Sequence, residues 1–264
     1  RGPKFLAADG LQLSATFYPG TKGQDSVPVV LLHMWKGSGK DYSGLAPYLQ
    51  QQGHAVLVPD LRGHGNSAQG PLGGQKLDPA KLSTNHYYEM RYGDMEVLRR
   101  FLVEKNDAGE LNLNKLCLVG AEMGAVVAVY HALNDWTQIR READRAAPSQ
   151  DVKGMVLISP DWDFRGMPLS KPLNHPLIRS AISTMIVVGK EDSRSSAEAN
   201  RVHNVLKKYH VDPEKLEPED RDKIDLFFIQ APTKLQGTKM LGVRGLRVEW
   251  AIGRFIELRL VNQD

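Results

Sequence analysis

The sequence has few of the residues that define several protein classes. Cys117 is the single cysteine in 264 residues, so an intramolecular disulfide framework and a zinc site built on cysteines are excluded. It lies in an apolar run, where we expect it to pack in the core. No apolar run approaches the ~20 residues of a membrane-spanning helix. The histidines have no metal-ligand spacing, so neither a metal nor a cofactor is expected.

The sequence also lacks a large excess of charge of one sign. The formal net charge is +3, and Lys and Arg are interspersed with Asp and Glu, which argues against a nucleic-acid partner. The sequence is 41% hydrophobic and 25% charged, as is typical of a soluble globular protein with a full core. The chain opens on Arg1 with no signal peptide or methionine, which leaves both export and a cytoplasmic location open. The oligomeric state is equally open.

Apolar runs of strand length alternate with runs of helical period. Residues 5–18 alternate around Asp9-Gly10, which predicts an antiparallel hairpin at a sheet edge. Buried strands are predicted at 27–33, 54–59, 116–119, 152–160, 184–189 and 224–229, and helices at 42–52, 88–103, 197–209 and 247–260. This order predicts an α/β fold with a doubly wound, mostly parallel sheet and an antiparallel N-terminal edge, which binds ligands at the carboxyl ends of its strands.

The rest of the chain is organised around these elements. Residues 1–264 show no internal repeat and are expected to form a single domain. The segment 68–85 is rich in Gly, Pro and Lys and predicts a long exposed loop. The segment 161–178 is irregular and predicts a small cap-like excursion, and the charged segment 135–151 predicts surface.

Residues 116–128, LCLVGAEMGAVVA, join a predicted buried strand to a predicted buried helix through a Gly-x-x-x-Gly turn. Glycines permit a strained bend of this kind, which raises the middle side chain above the sheet. The raised residue here is Glu122. The turn therefore predicts a candidate site at the end of the central strand.

Four motifs together carry a resemblance to a known superfamily. They are DGLQLSATFYP from Asp9, LLHMWKGS from Leu31, PDLRGHGNS from Pro59 and VGAEMGA from Val119. Over nearly its whole length the chain resembles an α/β-hydrolase, in the neighbourhood of dienelactone hydrolases, esterases and acyl-peptidases. That resemblance implies a serine nucleophile, an acid and a histidine base in this chain order.

Set against that pattern, the triad positions are altered. Glu122 stands at the nucleophile position, Asp192 in VVGKEDS fills the acid position, and Gln236 in LQGTKML stands where the family has its histidine. Met34 replaces the usual glycine of the oxyanion loop. Glutamine cannot accept a proton near neutral pH, so we expect a degenerate triad.

The other residues expected around the cleft come from the same motifs. His33 ends a buried strand and, like His64 in its Gly-rich turn, is expected to be structural. Backbone N–H groups of the oxyanion loop and of Met123 are expected to bind the Glu122 carboxylate. The expected pocket residues are His33, Met34, Trp35, Met123 and Trp162.

Three functions follow as hypotheses. The first is a non-catalytic α/β-hydrolase-like protein, or pseudoenzyme, whose cleft binds a small molecule or a protein. The alternative is a hydrolase of an ester, lactone or epoxide that uses Glu122 in place of serine, with His86 or His175 transferring the proton. The third is an interaction domain with residues 68–85 as its contact surface.

Overall fold

The computed structural model describes residues 2–142 and 145–262. The strands are β1 (Lys4–Leu6), β2 (Gln12–Tyr18), β3 (Pro28–Leu32), β4 (Ala55–Pro59), β5 (Leu116–Ala121), β6 (Arg140–Glu142), β7 (Arg145–Ala147), β8 (Val152–Ile158), β9 (Asp163–Phe164), β10 (Met167–Pro168), β11 (Ser183–Gly189) and β12 (Leu226–Ala231). The α-helices are α1 (Leu45–Gln51), α2 (Thr84–Glu89), α3 (Met95–Asp107), α4 (Met123–Thr137), α5 (Ser170–Asn174), α6 (Pro176–Ala181), α7 (Ser193–Leu206) and α8 (Val248–Ile256). Two π-helical turns, Met90–Asp94 and Glu257–Val261, extend the helical segments.

Eight strands form one sheet in the order β1-β2-β4-β3-β5-β8-β11-β12. β1 pairs antiparallel with β2, and β2 with β4, while the remaining pairs are parallel. The α/β-hydrolase fold with an antiparallel N-terminal edge is therefore confirmed. The tight turn at Asp9-Gly10 is present too, because Gly10 has a φ of 84° between β1 and β2.

Alternating side chains of the central strands pack into two hydrophobic layers. Val29 and Leu31 of β3 face one layer, which α1 and α8 complete. Val30 and Leu32 face the other, which α3, α4 and α7 complete. Because both faces of the parallel strands are covered, these strands are apolar throughout, as their sequences indicate.

The two predicted excursions contain more regular structure than expected. Within 68–85 there are short 3-10 turns at Pro71–Gly73 and Pro79–Lys81, and α2 begins at Thr84. The loop is anchored on the N-terminal hairpin, because the Leu72 N–H donates to the Gly10 carbonyl at 3.0 Å. The excursion 161–178 holds the β9-β10 ribbon, α5 and the first turn of α6.

The prediction that 135–151 lies on the surface is wrong at both ends. Asp135 is fully buried, and Asp151 is 5% exposed. The guanidinium of Arg99 explains this, because its Nε lies 2.7 Å from Asp151 Oδ2 and 3.8 Å from Asp135 Oδ1. Charged residues are buried when they are paired in this way.

A second buried guanidinium joins three distant segments. Arg62 has no exposed surface. It donates to both carboxylate oxygens of Asp94 at 2.6 and 2.8 Å, and to both oxygens of Asp9 at 2.5 and 3.2 Å. In the described part of the chain, no helix has the length and apolar character needed to cross a bilayer.

Candidate active site

β5 and α4 meet in a strained turn whose apex is Glu122. Glu122 has φ 48° and ψ −111°, a conformation that side-chain-bearing residues rarely adopt. Hydrogen bonds fix it: its N–H donates to the Ile158 carbonyl at 2.9 Å, and its carbonyl accepts from Ala125 N at 3.0 Å. The predicted elbow is present, with a carboxylate at the raised position.

The two glycines of the turn are required by close backbone contacts. A β-carbon on Gly120 would lie 2.3 Å from the Gly124 carbonyl oxygen. A β-carbon on Gly124 would lie 2.1 Å from the Leu32 carbonyl oxygen, at the end of the neighbouring strand. The Gly-x-x-x-Gly spacing thus allows α4 to start directly against β3, and this holds whatever residue occupies the apex.

The Glu122 carboxylate points across the cleft instead of back onto its own helix. A β-carbon on Gly237 would lie 2.9 Å from Glu122 Oε1 and 3.0 Å from Met34 Sδ, so the carboxylate and the thioether occupy adjacent space. Within the described part of the chain, the side chain makes no capping hydrogen bond to α4, and the expected hydrogen bond from the Met123 N–H to this carboxylate is not formed. Burial raises the pKa of Glu122, and the nearby Lys239 opposes that shift.

The loop after β3 carries the positions of the family's oxyanion loop. The Nδ1 of His33 donates to the Met34 carbonyl at 2.8 Å, and its Nε2 accepts from Leu61 N at 2.9 Å. Both ring nitrogens are used in fixing the loop, and burial lowers the pKa of His33 to about 4. The neighbouring Trp35 donates through Nε1 to the Pro79 carbonyl at 3.2 Å, which ties the loop to segment 68–85.

The expected pocket residues fall into two groups. His33 and Met123 are fully buried and present no surface to a ligand. Met34, Trp35 and Trp162 are partly exposed. Trp162 is held by its own N–H, which donates to Glu198 Oε2 at 2.9 Å.

Gln236 makes a set of hydrogen bonds that fixes its amide. Its Nε2 donates to the Gly189 carbonyl at 2.8 Å, and its Oε1 accepts from Gly189 N at 3.3 Å. The Oε1 also accepts from the Ser159 hydroxyl at 2.6 Å, and that hydroxyl accepts from Gly237 N at 2.9 Å. An amide carries both a donor and an acceptor, so it bridges the ends of β8, β11 and β12 in a way that a single imidazole nitrogen does not.

Asp192 is placed as a helix cap. Its carboxylate accepts from Ser195 N at 2.8 Å as the N-cap of α7, and hydrogen bonding to Ser195 lowers its pKa. Among the described residues, its carboxylate makes no hydrogen bond to Gln236. The position that the sequence assigns to the catalytic acid therefore serves α7 in this structure.

Asp161 is a candidate site residue that the sequence analysis did not single out. Burial, together with the charges of Glu122 and Glu198, raises its pKa to about 7, against a lowering effect of Arg194. The charge of Glu122 thus acts on the ionisation of Asp161. The signal in the sequence is its position two residues after Ser159, which follows a buried strand adjacent to β5.

The histidines named as proton donors lie in other settings. His86 belongs to a capping box at the start of α2, where its Nδ1 lies 2.9 Å from Ser83 Oγ. His175 is the N-cap residue of α6. Across residues 2–142 and 145–262, Glu122 has no hydrogen bond to a histidine. The same residues contain no group of three His, Cys, Asp or Glu that fits a metal ion.

The chain matches the serine aminopeptidase S33 family over residues 24–218, about three quarters of its length. It belongs to this family and so to the α/β-hydrolases. A non-heme chloroperoxidase from Burkholderia pyrrocinia is 40% identical over 53 residues, which are 20% of this chain and 19% of that protein. The chain thus covers about a fifth of that relative's length.

Solved structures of esterases share the whole architecture. A carboxyl esterase from Bacillus coagulans superposes with a TM-score of 0.66 at 13% identity, over 99% of each chain. The esterase of Exiguobacterium antarcticum gives 0.60 at 16% identity, over 97% of this chain and 100% of that one. At these identities the likeness shows the fold, and the chemistry has to be argued from the residues.

Proposed function

We propose that this chain is a single-domain α/β-hydrolase-like protein, residues 1–264, that lacks triad catalysis and uses its cleft to bind a small molecule or a protein. One observation carries the proposal: the Gln236 amide is bound to Gly189 and Ser159 at the position of the family's base. The amide nitrogen is used as a hydrogen-bond donor and the amide oxygen as an acceptor. The group is a structural bridge and has no proton-accepting role.

The residues at the other triad positions support the same conclusion. An amide cannot act as a general base near neutral pH. Glu122 has no hydrogen bond to a histidine among the described residues, and the Asp192 carboxylate caps α7. Triad residues act as a unit, so the loss of nucleophile and base leaves only binding and electrostatic effects.

The direct test is hydrolysis of short p-nitrophenyl esters and of lactones by the purified protein. We expect rates equal to those of the buffer, and the same rates for Glu122→Gln. Turnover by the wild type that disappears in Glu122→Gln would overturn the proposal.

Restoring the family's residues tests the framework. We expect the double variant Glu122→Ser with Gln236→His to show at most weak esterase activity. Its histidine would have no acid to orient it while Asp192 remains on α7. Efficient turnover by this variant would show that Asp192 is free to leave its cap and that the framework is still competent.

A second candidate, hydrolysis of an ester, lactone or epoxide through Glu122, is favoured by Asp161. A carboxyl group with a pKa of about 7 exchanges a proton at neutral pH. In this scheme the Glu122 carboxylate takes a proton from water as the water attacks an ester carbonyl, and protonated Asp161 donates to the departing alkoxide. Glu122 then returns its proton to Asp161, which restores both groups and leaves acid and alcohol as products.

The two candidates differ in measurable ways. Carboxyl-pair hydrolysis requires activity that is lost in both Glu122→Gln and Asp161→Asn and retained in Gln236→Asn, because Gln236 has no part in it. It also requires a bell-shaped pH profile near neutrality. A pH-independent background rate in all four proteins would exclude this candidate.

A further inference from the structure

The two edges of the eight-stranded sheet are protected to different degrees. β1, at one edge, is three residues long, follows Pro3 and contains Lys4. A short strand, a proline and a lysine all discourage pairing with another chain. β12, at the other edge, has six residues, LFFIQA, without a charge or a proline, and its register with β11 is regular throughout. The β12 edge therefore has none of these protections in its own sequence.

The two faces of β12 are covered, so its free side is the edge itself. The Phe228 ring stacks on His203 of α7 with the ring centroids 4.5 Å apart. The Phe227 ring meets Phe255 of α8 edge-to-face, with a centroid distance of 5.7 Å. Within the described residues, β12 pairs with β11 alone. A row of backbone groups is left open along the other side of the strand.

Hydrogen bonds to β11 show which backbone groups of β12 point outward. Thr184 N donates to the Asp225 carbonyl at 2.7 Å. Lys190 N donates to the Ala231 carbonyl at 2.9 Å. Because successive residues of a strand turn their backbone groups to opposite sides, the odd-numbered residues face β11 and the even-numbered ones face outward. The outward-facing residues are Leu226, Phe228 and Gln230. Across residues 2–142 and 145–262, their N–H and C=O groups have no hydrogen-bond partner.

These outward groups are self-complementary across a two-fold axis. In an antiparallel pair, two residues that lie opposite each other exchange both N–H···O bonds. When Phe228 lies opposite its counterpart in a second copy, Leu226 lies opposite Gln230, and every outward group gains a partner. A register shifted by one pair in either direction brings in Pro232, which has no N–H, or Ile224, whose N–H already donates within its own chain at 3.3 Å. The backbone thus favours one register.

The same register matches apolar side chains along the two strands. Phe227 lies opposite Ile229 of the second copy, and the two Phe228 side chains are neighbours at the axis. All three side chains are partly exposed in the single chain. Aromatic and β-branched side chains in such cross-strand pairs stabilise a sheet. Ile224 and Leu258 add apolar surface beside the edge, because they line a cavity of about 710 Å³ together with Phe227.

The charges that flank the strand are complementary in this register. Lys234 follows β12 and Asp222 precedes it, and both are exposed. The register brings Lys234 of each copy towards Asp222 of the other. In the part of the chain that the structure describes, neither side chain forms an ion pair, since the adjacent Lys223 pairs with Asp220 at 2.7 Å. Two attractions of this kind would lie at the ends of the paired strands.

We propose that the chain forms a symmetric homodimer in which β12 pairs antiparallel with β12 of a second copy, centred on Phe228, so that the two sheets become one. The occupant is a second copy because both the backbone groups and the flanking charges are complementary to themselves about a two-fold axis. Main-chain hydrogen bonds supply the pairing, as in other strand additions to a sheet edge. The proposal does not depend on whether the cleft is catalytic.

Sedimentation equilibrium over about 1 to 100 μM protein tests it. We expect the 29.4 kDa chain to convert to a species of twice that mass. Gln230→Pro removes an outward N–H and leaves the hydrogen bonds to β11 in place, so the dimer should dissociate at least about 10-fold more readily. The matched control is Gln230→Ala, which keeps that N–H and should dimerise as the wild type does.

A charge exchange tests the register. Lys234→Glu and Asp222→Lys each place like charges together and should weaken the dimer about 5-fold. The double variant exchanges the two charges and should restore the wild-type affinity. Lys4→Glu, the same charge change on the other edge strand, is the control and should have no effect.

Two results would overturn the proposal. One is a wild type that stays monomeric over the whole range, which would leave the edge for a strand of a different protein. The other is a dimer that Gln230→Pro and Lys234→Glu leave unchanged, because it would then use another surface. If circular dichroism shows that Gln230→Pro does not fold, the exposed Lys234 and Asp222 variants decide the question: restoration by the double variant supports the proposal, and its failure to restore overturns it.

Discussion

The elbow differs from the segments that carry Asp192 and Gln236 in which atoms hold it in place. At the elbow, the backbone itself is constrained: Gly120 and Gly124 allow the close contacts, and Glu122 adopts the strained conformation. At the ends of β11 and β12, Asp192 and Gln236 make structural hydrogen bonds. The turn is required for α4 to pack on β3, and this requirement does not depend on the residue at its apex. Asp192 and Gln236 follow their strands on loops, where the hydrogen bonds are made by side chains and not by a constrained backbone.

The largest expected effect comes from breaking the elbow. Gly124→Ala should lower the free energy of unfolding by about 3 kcal/mol, because its β-carbon would overlap the Leu32 backbone carbonyl. Urea denaturation measures this. The control is Gly44→Ala, where a β-carbon meets no atom within 4 Å, and its effect should stay below about 0.5 kcal/mol. An equally small effect at Gly124 would show that the turn relaxes around the added β-carbon, and that close packing of α4 on β3 does not require a glycine there.

The second prediction tests the structural role of Gln236. Gln236→Ala removes the bridge among Gly189, Ser159 and Gly237 and should cost about 2 kcal/mol of unfolding free energy, since buried polar groups lose their partners. Gln51→Ala, at an exposed helical glutamine, is the matched control and should change little. Unchanged stability of Gln236→Ala would mean that the amide is replaceable and is not a structural bridge.

The third prediction concerns Asp161 and pH. Its folded-state pKa of about 7 lies above the ordinary value of 3.8, so its contribution to stability is fully present below that ordinary value and is lost as pH rises through 7. Asp161→Asn should therefore match the wild type near pH 4 and be more stable by about 1–2 kcal/mol at pH 8. That figure is well below the free energy that the whole pKa shift would correspond to, because solvent screens this half-buried group. Urea denaturation at both pH values measures the difference, and an equal gain at the two values would contradict it.

The smallest effect is expected at Asp192. Asp192→Ala should lower the melting temperature by about 2–3 °C through loss of the α7 cap, and Asp192→Asn, which also caps well, should restore most of it. Thermal unfolding monitored by circular dichroism measures these melting temperatures. A fall of the same size in both variants would point to a role for the negative charge itself, as expected for an acid that orients a base.

Most of the architecture could be predicted from the sequence, because it depends on short-range signals. The Gly-x-x-x-Gly spacing predicts the elbow, and Asp9-Gly10 predicts the hairpin, since both are conditions on the local backbone. The sequence analysis did not identify Asp161 as a site residue, because its closeness to the elbow depends on β8 lying next to β5. No local sequence pattern indicates that pairing. The burial of Asp135 was missed for the same reason: its partner Arg99 is on another helix.

The assignment of Asp192 shows a further limit. Its position in the sequence marks the end of a strand and the start of a helix, and both a catalytic acid and an N-cap fit there. Only the direction of the carboxylate separates the two roles, and that direction depends on whether a histidine is present to attract it.

The Arg62 guanidinium, with Asp9 on one side and Asp94 on the other, makes the first strands a component of the interior. Removal of the N-terminal hairpin would take away Asp9 and the hydrogen bonds that Nη1 and Nη2 of Arg62 make to its carboxylate. Truncation or proteolytic clipping before β3 would therefore weaken the anchoring of Asp94 and its π-helical turn as well as the sheet edge.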